Sequence, residues 1–152
     1  MSGDVIHARV SAVKEIAHGV ASYGRSLTAA LASARADLNG AAAEFQAAVA
    51  DSQRRVAAAD RRTEAPAAAL ARCREGCEPL QRQLAEAKVA QDEARRRHER
   101  NRQAQAQFDR AAAELISSMG TARTAAEGMV PSARQHIQDY AEILTSYLKT
   151  GV

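Results

Sequence analysis

Apolar and small residues recur along most of this chain at alternating steps of four and three, and no other feature restricts its fold as much. The first run is Ile6, Val10, Val13, Ala17, Val20, Gly24, Leu27, Leu31, Ala34, Leu38, Ala41 and Phe45. It continues through Val49, Ser52, Val56 and Ala59 after a single irregular step. The second run starts at Leu70 and passes through Cys73, Cys77, Leu80, Leu84, Ala87, Gln91, Ala94, His98, Asn101, Gln105 and Phe108. It then goes on to Ala112, Leu115, Met119, Ala122, Ala126 and Met129. A seven-residue repeat of this kind places one stripe along a helix and calls for a partner helix against it, as in a coiled coil.

Composition points the same way. Alanine accounts for 37 of the 152 residues and so for more than half of the 46% scored as hydrophobic, while aromatic residues make up 3%. Sheets need β-branched and aromatic side chains and frequent turns, so an all-β or doubly wound fold is excluded. Few large side chains are left to fill a deep core. Alanine at facing positions instead lets helices approach closely while burying little apolar area per residue.

Punctuation divides the two runs. Thr63-Glu64-Ala65-Pro66 and Gly76-Cys77-Glu78-Pro79 each set a proline where a new helix can begin. The chain is expected to reverse between 63 and 79, with both sites left open. Helix 1 is expected over about 4–62 with Asp4 as its N-cap, a tip with a short helix over 63–79, and helix 2 over about 79–128. Gly128 and Pro131 are expected to end helix 2, and a third helix then covers about 131–149. The expected fold is all-α: a single domain over 1–152, an elongated antiparallel helical hairpin whose coiled-coil stalk projects from a small three-helix base.

Four features are candidates for function. The third helix carries Ile137, Tyr140, Ala141, Ile143, Leu144, Tyr147 and Leu148 over an arc of about 160°, wider than one neighbouring helix needs. Ile137, Leu144 and Leu148 are expected to face inward, with Ile143, Tyr147 and Tyr140 turned toward a partner. The second run carries polar residues on the seam itself, Gln91, His98, Asn101 and Gln105. Such a polar waist either pairs with a second chain or lets the helices splay and admit water. The charge-dense stretch contains Arg95, Arg96, Arg97, Arg100 and Arg102 with Asp92, Glu93 and Glu99 interspersed. That mixture reads as a solvated helix face, because interposed acids repel the phosphates a nucleic-acid-binding region must neutralise. Cys73 and Cys77, four apart, read as small seam residues with reduced thiols more than a disulfide scaffold, with an intermolecular disulfide as the lesser option, and a zinc site needs two further ligands.

Catalysis, cofactors and metals find no motif. Glu15-Ile16-Ala17-His18 has the Glu-x-x-His spacing of di-iron bundles, but His98 and His136 have no glutamate three residues before them. There is no P-loop, nucleophile elbow or dinucleotide turn. The N-terminal residues lack the basic and apolar regions of a signal peptide, and no run is long enough to cross a membrane. Residence in the cytoplasm is therefore expected, with leaderless export left open.

The Ala-rich helical hairpin, with Gly and Arg in bacterial proportions, resembles the hairpin proteins of type VII secretion, the WXG100 and LXG-associated class. The resemblance implies a small helical protein that acts by pairing, as a secreted partner or targeting component, and it carries over no site residue. The expected function is that of a non-catalytic interaction module, oligomeric or bound to another helical protein. The alternatives are a nucleic-acid binder using residues 95–102 and an amphipathic binder of anionic membrane surfaces.

Overall fold

The computed structural model describes the backbone of residues 2–150 and the side chains of residues 9–147 and 149. Two helices make up the chain, α1 over Ser2–Arg72 and α2 over Glu78–Thr150, and the described residues contain no strand. They pack against each other as an antiparallel hairpin. Across it the pairs Phe45 with Phe108, Ala48 with Asn101, Ser52 with His98 and Asp60 with Gln91 fall in number on one helix as they rise on the other. No described helix is long and apolar enough to cross a membrane.

The reversal lies at 73–77, the later of the two expected sites. Gly76 adopts a φ of 66°, a left-handed conformation that a side chain would strain. The Gln81 amide donates to the Cys77 carbonyl at 3.0 Å and starts α2, with Pro79 in its first turn. The expectation of reduced thiols is corrected here: Cys73 and Cys77 form a disulfide with their Cα atoms 5.9 Å apart. Because α1 stops at Arg72, the cysteines flank a turn rather than share one helical face. Closing so short a loop removes a modest amount of unfolded-state entropy. Cys73→Ser with Cys77→Ser, or reduction of the native protein, is expected to lower stability by about 2 kcal/mol. An unchanged urea midpoint after either treatment would show that the bond constrains nothing.

Neither internal proline breaks a helix. Pro66 lies inside α1, so the expected end near 62 and the separate tip helix do not occur. A mid-helix proline forfeits one hydrogen bond and costs about 3 kcal/mol. Here the seam runs straight through it, with Thr63, Pro66 and Leu70 all half-buried, so packing on both sides opposes a break. Pro131 likewise lies inside α2, and the expected third helix and three-helix base are not separate elements. Residues 131–149 continue the same helix, with Val130, Ile137, Ala141 and Leu144 buried or half-buried along one stripe.

Contacts divide the hairpin into two compact units, Met1–Asp37 with Glu114–Val152 and Leu38–Ala113. In the second unit the expected seam holds at every described position. Its most buried side chain is that of Ser52, 2% exposed, and Phe45 and Phe108 stack in tilted fashion with centroids 4.9 Å apart. In the first unit Val10, Ala17, Gly24 and Ala141 are buried. A Cβ on Gly24 would lie 2.8 Å from Val130 Cγ1, so this glycine is needed for the close approach of the helices. The expected seam fails at Ala34 of α1, which is exposed, and on α2 of this unit. After Ala112 the inward positions are Ile116, Met119, Ala126 and Val130, while Leu115, Ala122 and Met129 are exposed. A step of four where three was due shifts the stripe, which is how a 3.6-residue helix corrects its drift against a seven-residue repeat. Ile6 and Leu148 have side chains outside the described residues.

Candidate interaction surfaces

The polar seam is built within the second unit. His98 Nδ1 and Ser52 Oγ are 3.0 Å apart, and the Ser52 hydroxyl also donates to the Val49 carbonyl at 2.8 Å. The Asn101 amide donates to the Ala48 carbonyl at 3.2 Å. Gln91 Nε2 donates to Asp60 Oδ1 at 2.7 Å, and Arg95 reaches the same oxygen at 3.0 Å. Gln105 is half-buried in the same stripe. Gln91, His98 and Asn101 thus join α1 through a ladder of hydrogen bonds across the hairpin. Its α1 half was missed in the sequence because Ser52 passes for a small seam residue and Asp60 stands one place beside Ala59.

The ladder accounts for the charges around it. The Gln91 amide is the main cause holding the Asp60 carboxyl below the usual carboxylate range. Desolvation opposes that shift, and Arg95 adds to it through a hydrogen bond and its charge. Of the basic stretch, Arg95 pairs with Asp60, and all five arginines, Arg95, Arg96, Arg97, Arg100 and Arg102, are exposed. Glu15 is exposed and His18 lines a groove of the first unit, and the described residues hold no cluster of three metal-binding side chains.

Tyr140, Ile143 and Tyr147 are exposed, whereas Ile137 and Leu144 turn inward. The three exposed residues belong to a longer face that the seam shift uncovers. Leu115, Ser118, Ala122, Ala125, Met129, Ala133, His136, Tyr140, Ile143 and Tyr147 fall within an arc of about 80° at 100° per residue. All are exposed, and none is Lys, Arg, Asp or Glu. On the same flank of α1, Ile16 and Tyr23 stand seven residues apart and are also exposed. Tyr23 is 67% exposed, Met129 69% and Tyr147 65%. With Ile16, Tyr140 and Ile143, each exposing more than half of roughly 200 Å², this face leaves on the order of 700 Å² of large side chain in water. Tyr23 had no role assigned from the sequence, although the spacing of 16 and 23 repeats the seven-residue period on another face, and Met129, expected on the buried seam, stands on this exposed one instead.

No family model matches the chain, and no curated protein or solved structure is significantly similar to it.

Proposed function

We propose that the chain is a non-catalytic protein–protein interaction module. It engages a helical partner through the uncharged face of α2 around Tyr140, Ile143 and Tyr147, with Ile16 and Tyr23 of α1 beside it. The observation that carries this reading is the ten-position face without a charge, because a helix surface that serves only solvent alternates charged and polar residues. Tyrosines, of which this face carries two with Tyr23 beside it, are favoured anchors at protein interfaces. The secretion-partner form that the resemblance implies is a particular case of this proposal. The Cys73–Cys77 disulfide favours it, since such bonds persist outside the reducing cytoplasm.

The deciding variant is Ile143→Asp with Tyr147→Ala. Both side chains stand in water, so the urea midpoint of the isolated monomer is expected to move by less than about 0.5 kcal/mol. Self-association in sedimentation, or photocrosslinking of a cellular partner from position 140, is expected to fall at least tenfold. Unfolding of the variant with association intact would sink the reading, as would anionic vesicles binding the wild-type chain through this face.

A further inference from the structure

The opposite flank of the first unit carries a groove whose charge is as one-sided as the uncharged face is neutral. Three depressions follow one another along it. The first shares Ala21, Arg25, Arg134 and Gln138 with the second, and the second shares Thr28 and Ala32 with the third. The first alone has a volume of about 950 Å³. From Val13 to Arg35 the groove follows α1 for about 33 Å at the helical rise, the length of a helix of some 20 residues.

Its floor combines alanines, Ala17 and Ala21 on α1 with Ala126 and Ala141 on α2, with the half-buried apolar side chains of Val13, Val130 and Ile137. Its rim is cationic. The unit contains seven Lys and Arg residues and seven Asp and Glu residues in sequence. Six of those cations line the groove, namely Lys14, Arg25, Arg35, Arg123, Arg134 and Lys149, but only two of the acids do, Glu127 and Glu142. Glu127 is already paired with Arg123 at 2.7 Å. Among the described residues the other five cations have no carboxylate within ion-pair distance.

We infer that this groove binds an acidic amphipathic helix of a partner protein, closing the first unit into a three-helix bundle. The alanines of this floor let a third helix approach closely, within the usual 8 to 10 Å spacing, and its valines and isoleucine offer that helix an apolar stripe. Five unpaired cations on two parallel rims then meet carboxylates on the two flanks of its apolar stripe. A second copy of this chain is a poor occupant, because its own groove repeats the same cations and its uncharged face offers them no acid. This inference goes beyond the proposed function, since it concerns the other flank and a different chemistry.

The test uses the full chain and two designed 20-residue peptides with the same Leu and Ala face, one flanked by Glu and the other by Lys. Fluorescence anisotropy is expected to show micromolar binding of the Glu peptide, weakening steeply with salt, and no binding of the Lys peptide. Arg25→Glu with Arg134→Glu, both on the exposed rim, should weaken the Glu peptide at least tenfold. Ala21→Trp should block it by filling the floor, with an unchanged helical circular-dichroism spectrum in both variants. Ile143→Asp with Tyr147→Ala should leave peptide binding unaltered, so the two surfaces stand or fall separately. Equal binding of both peptides, or of neither, overturns the inference. So does displacement of the Glu peptide by duplex DNA or anionic vesicles at equal charge concentration, which would assign the cations to phosphate.

Discussion

Phe108→Ala is expected to destabilise the hairpin by about 2–4 kcal/mol. Truncating a buried Phe costs 3–5 kcal/mol, and the lower range applies because the ring is half-buried. Phe45 and Phe108 are the chain's two phenylalanines, and they meet each other at 4.9 Å across the helices. Around them the seam is largely alanine, which cannot move to refill the space. Little of the loss should therefore be recovered by relaxation. Urea unfolding should show a lowered midpoint with an unchanged slope. Val89, exposed on α2, supplies the control, and its replacement by Ala should stay within about 0.5 kcal/mol. A loss at Phe108 below about 1 kcal/mol would mean that the aromatic contact does not organise this part of the seam.

Replacing Gly19, Gly40, Gly120 and Gly128 together by Ala is expected to stabilise the chain by about 3–4 kcal/mol. All four lie inside helices, and a Cβ built on any of them meets nothing within 4 Å. Each exchange then contributes only the helix-propensity difference of about 0.8–1.0 kcal/mol, and sites this far apart should add. Gly24→Ala has the opposite sign. Its Cβ would collide with Val130, and forcing the helices apart costs about 1–3 kcal/mol, more than the propensity gain. Thermal and urea unfolding of the quadruple variant and of Gly24→Ala decide the matter. Stabilisation by Gly24→Ala equal to that of the other sites would refute the close approach at this position.

How much of this was readable from residues alone differs between the two units. Between 38 and 113 the seven-residue spacing sufficed, because every position the repeat names there, from Phe45 to Ala59 and from Leu80 to Phe108, turns inward. The helical class, the absence of sheet and the inward turn of Ile137 and Leu144 were legible for the same reason. Periodicity is a property of one strand of chain and needs no knowledge of its neighbour. The breaks were misread because proline and glycine state only a local preference. Pro66 and Pro131 remain inside helices where burial on either side outweighs a lost hydrogen bond.

Tertiary structure alone decided three things. It supplied the partners of the polar seam, since nothing in the sequence near Gln91 or His98 names Asp60 or Ser52 across the hairpin. It moved the stripe after Ala112 and so turned Leu115 and Met129 outward, joining them to Tyr140, Ile143 and Tyr147 on one uncharged face. It also gathered six cations from two distant segments around one groove, although those segments contain equal numbers of acids and bases. The physical reason is common to all three. A heptad specifies that a face must be covered, but the register of two packed helices determines which residues stand opposite one another and which are left for a partner.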